Sequence, residues 1–323
     1  MITRKENALR TIKFDHPEYI MSGMPCHMLA YKGCNHEGYE GGGHECPVGT
    51  RWTDIWGTGW VKEQEGLMGF PRGNPLPEMK YFKDYQWPDA MDERIYSRIY
   101  EKKNDFDPTD CFLAGFHRDT LWEKSYMLAG MENIMAYMHD EPEYAREIFH
   151  RIMDFQVGMA KHYLDVGVEV VFMGDDLGTQ RGLLIGKDML YEFLVPEYKR
   201  LFDLYKKNGV IISFHSCGHI EPLLDMFIEL GVDVLNPVQA NANSLINIRE
   251  RTEYKMTLQG GISTGLLMSG PPREIESAVK DTIRTLGKNG GYFCEPDQYM
   301  PFPEENIAVM ENAIKKYGVY PVA

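Results

Sequence analysis

The feature that most constrains this chain is an alternation running through its last two-thirds: short β-rich apolar runs separated by stretches of helical periodicity. The runs are 111–116 (CFLAGF), 168–174 (VEVVFMG), 210–216 (VIISFHS), 232–236 (VDVLN), 256–260 (MTLQG) and 291–295 (GYFCE), with a further one at 24–32 (MPCHMLAYK). Helical patterns occupy about 119–139, 141–165, 186–207, 219–230, 244–252, 271–288 and 303–317. Such alternation predicts βαβ units and a parallel sheet. The boundary residues agree. Asp119 begins the helix after the first of these runs, and Pro271-Pro272 opens another with Glu274 and Glu276 in its first turn. Gly167, Gly209 and Gly231 each separate a helix from its next strand.

A doubly wound open sheet would share this alternation, but it usually carries a glycine-rich phosphate turn after its first strand, and none is found. Polar residues instead gather at strand C-termini: His117, Asp175, Asp176, His215, Cys217, Gln239, Gln259 and Cys294. In a (β/α)8 barrel those ends converge on one mouth, where the chemistry occurs. A single α/β barrel domain spanning 1–323 is therefore expected, although only seven of its eight strands can be placed. Residues 33–100 differ in character. They are rich in Gly, His, Trp and Pro and are expected to form an irregular insertion covering the mouth, with Tyr39 and Trp56 among the aromatic residues enclosing substrate.

With 48 acidic and 34 basic side chains the net charge is −14, the wrong sign for releasing phosphate counterions from nucleic acid or for docking on anionic lipid. The opening MITRKENALRTIKF has no apolar core of signal-peptide length, and no stretch approaches the roughly 20 apolar residues of a membrane span. A cytoplasmic protein is expected. Six cysteines, at 26, 34, 46, 111, 217 and 294, make no disulfide scaffold in so long a chain, and in a reducing compartment they are buried, metal-bound or catalytic.

The densest chemistry lies in His215-Ser216-Cys217-Gly218. Residues two apart on a strand point to the same side, and imidazole and thiolate together suit Zn²⁺. A buried cysteine beside a hydrogen-bonded histidine is the structural alternative. Cys294, near another strand end, is the candidate third ligand; three protein ligands with one open position mark a catalytic zinc, whereas four close a structural one. Asp175 and Asp176 are candidate catalytic carboxylates or turn and capping residues, and His117 and Gln239 are candidate substrate contacts. Cys34, His36, His44 and Cys46 form a C-x-H…H-x-C array in a glycine-rich loop, better suited to gating substrate than to a second zinc.

These residues resemble the uroporphyrinogen decarboxylase superfamily, most clearly across VVFMGDDLGTQRGLLIG…GVIISFHSCGHIEPLLDMFIELGVDVLNPVQ, LQGGIS and GGYFCEPDQYMPFPEENI. RWTDIWGTGW and GFPRGNPLPEMK look like its corrinoid-dependent methyltransferase branch, of the O-demethylase type. The resemblance implies an α/β barrel with His215 and Cys217 as zinc ligands. The decarboxylases' arginine-rich N-terminal segment has no counterpart around MPCHMLAYKG, so porphyrinogen decarboxylation is not expected. In the coenzyme M branch a cysteine follows the last-strand proline (P-G-C), whereas here Pro296 is followed by Asp297 and Gln298, so Glu295 or an N-terminal residue is the alternative to Cys294 as third ligand. The activity implied is methyl transfer from a small methylated compound, a methoxylated aromatic by preference, to Co(I) of a separate corrinoid protein, since no D-x-H-x-x-G corrinoid motif occurs in this chain. Methyl transfer from methylcorrinoid to a zinc-activated thiol, and a decarboxylase or lyase acting on a smaller acid, are the alternatives. The oligomeric state is left open, with a homodimer among the options.

Overall fold

The computed structural model describes residues 2–33 and 46–322. The described residues form ten strands: β1 (Cys26–Ala30), β2 (Arg51–Thr53), β3 (Gly59–Val61), β4 (Phe70–Gly73), β5 (Phe112–His117), β6 (Val170–Gly174), β7 (Ile211–His215), β8 (Val234–Val238), β9 (Thr257–Ile262) and β10 (Tyr292–Pro296). Seven of them make one parallel sheet in the order β1-β5-β6-β7-β8-β9-β10. Each apolar run named above is one of these seven, shifted by a residue or two.

The sheet curls. In a flat sheet, six spacings of about 4.8 Å would hold β1 and β10 about 29 Å apart. Yet Met21, only five residues before β1, makes a parallel bridge with Phe293 of β10, and its carbonyl accepts from Cys294 N–H at 2.9 Å. Five residues span at most about 18 Å, so the two edges approach each other. The unplaced eighth strand is replaced by this single bridge.

Period-two alternation sorts the strand side chains between two layers. Ile212, Phe214, Leu258, Tyr292 and Cys294 join the large apolar cluster shared with the surrounding helices. Phe112, Ala114, Val170, Val234 and Phe293 point the other way, where Ala8, Leu9 and Ile12 of the helix Arg4–Lys13 pack against them. That helix starts at Thr3, whose side chain accepts from Glu6 N–H. At about 1.5–3 kcal/mol per buried large apolar side chain, these two layers supply the main stabilisation.

The segment 51–73 was expected to be irregular, but it contains a three-stranded antiparallel sheet in the order β2-β3-β4. It reaches the loops after β5 and β10: Arg118 donates to Met68 Sδ at 3.1 Å, and Gly66 lies against Pro301. A buried ion pair, Lys124 Nζ to Asp54 Oδ2 at 3.6 Å, ties it to the helix Trp122–Ala129. No helix among the described residues is long and apolar enough to cross a membrane.

Candidate metal centre at the barrel mouth

β7 delivers His215 on the inward parity, and the chain leaves the strand through Ser216 and Cys217. Gly218 then turns it with φ +86°, and a Cβ there would fall on the backbone of Gly178. The close approach and the positive φ both require glycine. The turn brings Cys217 Sγ to 3.3 Å from His215 Nε2. Asp176, just past β6, completes the group, with Oδ1 3.3 Å from the same nitrogen and accepting from Cys217 N–H at 2.9 Å. The ligand atoms of Asp176, His215 and Cys217 lie within 4.8 Å of one another.

The surroundings suit a metal. His215 Nδ1 pairs with Asn236 Oδ1 at 3.0 Å; because the amide oxygen only accepts, the ring proton belongs on Nδ1, leaving the Nε2 lone pair facing Asp176 and Cys217. Gln298 Nε2 donates to Cys217 Sγ at 3.4 Å. The donor set of imidazole, thiolate and carboxylate fits Zn²⁺. The His215 and Asp176 side chains are 43% and 38% exposed, so the group is open to substrate. Without metal, desolvation works against charge on His215, but the Asp176 hydrogen bond and Cys217 outweigh it and hold its pKa well above the ordinary imidazole value. Desolvation likewise opposes charge on Asp176, yet bonding to His215 and Cys217 holds its pKa below the carboxylate norm.

Other expected site residues stand elsewhere. Cys294 lies on the helix side of β10, fully buried in the apolar cluster, and burial pushes its thiol up to about 12. It is not gathered with His215 and Cys217; Asp176 is. His117 is also buried on the helix side, with Nδ1 2.7 Å from Gln156 Oε1 and Nε2 2.6 Å from Tyr205 OH. Both ring nitrogens are occupied, and burial lowers its pKa to about 4. Trp56 is buried in the core, edge-on to Phe155. Asp175 acts as a helix cap: its carboxylate accepts from Leu121 N–H and Glu123 N–H at 2.8 Å each and from Tyr198 OH at 2.6 Å. Gln239 does border the centre, where its Oε1 accepts from Gly218 N–H at 2.7 Å and braces the Cys217 turn. Tyr39 and the Cys34, His36 and His44 part of the cysteine–histidine array lie outside the described residues.

Three residues that were not anticipated belong to the site: Asn236, Gln298 and Glu123. Asn236 follows from register, because it is the β8 partner of His215. Gln298 stands in the place where the resemblance leads one to look for a cysteine. Glu123 lies in the first turn of the helix Trp122–Ala129, where an acid is favoured by the helix dipole alone. Burial, then the nearby Asp119, Asp176 and Asp175, raise its pKa well above the usual range, and Tyr126 OH donates to its Oε1 at 2.9 Å.

A parallel α/β sheet with a polar centre at its strand C-termini defines a barrel-type protein with its site where such folds place their chemistry. The uroporphyrinogen decarboxylase (URO-D) family model matches residues 113–317, and the chain belongs to that family. Among curated proteins it is similar to a methylated-thiol–coenzyme M methyltransferase of Methanosarcina mazei, with 22% identity over 72% of this chain and 62% of that one. It is also similar to a uroporphyrinogen decarboxylase of Myxococcus xanthus, with 25% identity over 64% and 56%. The chain thus spans about three-fifths of the length of these relatives. A solved methyltransferase structure from Methanosarcina mazei superposes with a TM-score of 0.73 at 15% identity, covering 98% of this chain and 99% of that one. At that identity the match shows the shared fold.

Proposed function

We propose that this chain is a cytoplasmic zinc-dependent methyltransferase that moves a methyl group from a small methoxylated aromatic compound to Co(I) of a separate corrinoid protein. The observation carrying this reading is the group at the barrel mouth in which partly exposed His215 and Asp176 meet buried Cys217. The relatives named as methyltransferases support it.

His215, Cys217 and Asp176 would hold the zinc, leaving a position open. Bound there, zinc supplies Lewis acidity to the substrate's ether oxygen. In the transfer the methyl–oxygen bond breaks, its electron pair stays on oxygen, and the methyl group joins the cobalt of the partner. The departing oxygen takes up a proton. Asp175 is committed to its cap, so Glu123 is the proton source assigned here: burial and the neighbouring carboxylates favour its protonated form, and it stands within electrostatic reach of Asp176 and His215. Asn236 keeps the His215 tautomer, and Gln298 orients the Cys217 sulfur.

The name of the Methanosarcina mazei relative favours a second reading, in which a thiol is the methyl partner. Anaerobic assay of zinc-loaded protein with free cob(I)alamin, set against methoxylated aromatics or, in reverse, methylcobalamin and coenzyme M, separates the two. Methylcobalamin formation from an aryl ether, abolished in His215→Ala, is expected. Thiol methylation alone would select the second reading, and activity surviving in His215→Ala would defeat both.

A further inference from the structure

The inner face of the barrel beside the metal centre carries a second polar feature that the reading above does not use. His215 of β7 is in register with Asn236 of β8. The β8–β9 register shifts between Leu235 and Val238, but Gln259 holds the inward parity of β9, opposite to Leu258 in the helix-side cluster. Gln259 pairs with Phe293 of β10, and its Nε2 donates to Glu295 Oε2 at 2.6 Å. Polar side chains thus run from His215 through Asn236 and Gln259 to Glu295. Glu295 Oε1 packs against the Cα of Gly23, whose φ of +81° and lack of a Cβ give the carboxyl its space.

One atom in this row has no partner. Gln259 is only 8% exposed, and its Oε1 is buried without a hydrogen bond among the described residues. Leaving a buried acceptor unmade is costly, and a site built around one rejects ligands that cannot donate to it. Glu295 Oε2 accepts from the amide Nε2, which leaves Oε1 as the unmade acceptor of Gln259.

We propose that Gln259 and Glu295 form a substrate subsite that takes a hydrogen-bond-donating head, a hydroxyl or an ammonium, of the molecule whose methyl group lies at the metal centre. The subsite deepens the methyl-transfer reading and rests on it for the identity of the substrate. Glu295 selects against an anionic head and Gln259 Oε1 against a head without a donor.

Calorimetric titration of zinc-loaded protein with three probes tests this. Guaiacol offers a hydroxyl, 2-methoxybenzylamine an ammonium, and veratrole the same ring with no donor. At least one donor probe binds tenfold or more tighter than veratrole, and whichever does identifies the head. Gln259→Leu brings all three within about threefold while zinc content and Tm are retained; Gln259→Asn, which shortens the same amide, serves if the leucine variant fails to fold. Equal binding of the three by the wild type, no binding of any, or discrimination surviving in Gln259→Leu or Gln259→Asn would overturn the subsite. Failure of the two readings is distinguishable. Donor-selective binding without methylation of cob(I)alamin leaves the subsite and removes methyl transfer, whereas methylation from veratrole as fast as from guaiacol does the reverse.

Discussion

Cys217 and Cys294 are both buried, and what separates them is the side of the sheet each faces. Cys217 lies beyond its strand, where Gly218 swings it beside His215. Cys294 lies within β10, where parity commits it to the helix layer with Tyr292. Sequence placed both near strand ends, but register decides facing, and a one-residue difference reverses it. The same parity takes His117 away from the mouth. The His117 pKa is about 4 folded against about 6.5 unfolded, so its contribution to stability is fully present above about 6.5 and is lost as pH falls towards about 4. The loss amounts to about 3 kcal/mol. Urea unfolding across that window should show a steeper decline for the wild type than for His117→Gln, and parallel curves would contradict the assignment.

At the scale of elements, the strand and helix runs were legible because periodicity and glycine boundaries agree: Gly167, Gly209 and Gly231 all adopt positive φ where a C-cap was expected. The expected helix over 119–139 is divided at Gly130, which also has positive φ. The β2-β3-β4 sheet escaped detection because its strands are only three or four residues long, too short for period two to register. Asp176 was read correctly as a strand-end carboxylate, but only the fold of the Gly178–Gly218 contact shows it facing His215 while Asp175 turns to cap the neighbouring helix. Gly218→Ala meets backbone and a positive φ together, so the turn must shift and carry Cys217 with it. Competitive chelator titration should show zinc affinity at least tenfold weaker than wild type, on the scale of about 1.4 kcal/mol per tenfold, and an unchanged affinity would refute the role given to this turn.

For the whole molecule, the curled sheet brings the candidate centre to the convergent strand ends, with the 51–73 sheet reaching neighbouring loops. On the proposed reading, a net charge of −14 makes encounter with a separate corrinoid protein sensitive to long-range fields. Raising ionic strength from about 0.01 M to about 0.15 M shortens the screening length from about 30 Å to about 8 Å. The kcat/KM for the corrinoid protein should change severalfold across that range, while kcat/KM for free cob(I)alamin changes far less; two equal dependences would contradict a protein partner. On the proposed reading, one thiolate, one imidazole and one carboxylate hold the metal at this mouth. Zinc K-edge X-ray absorption of the zinc-loaded protein tests it most directly. A single sulfur is expected at about 2.3 Å with nitrogen and oxygen neighbours at about 2.0–2.2 Å, and the sulfur shell should vanish in Cys217→Ser. Two sulfurs in the wild type, with one lost in Cys294→Ser, would contradict it.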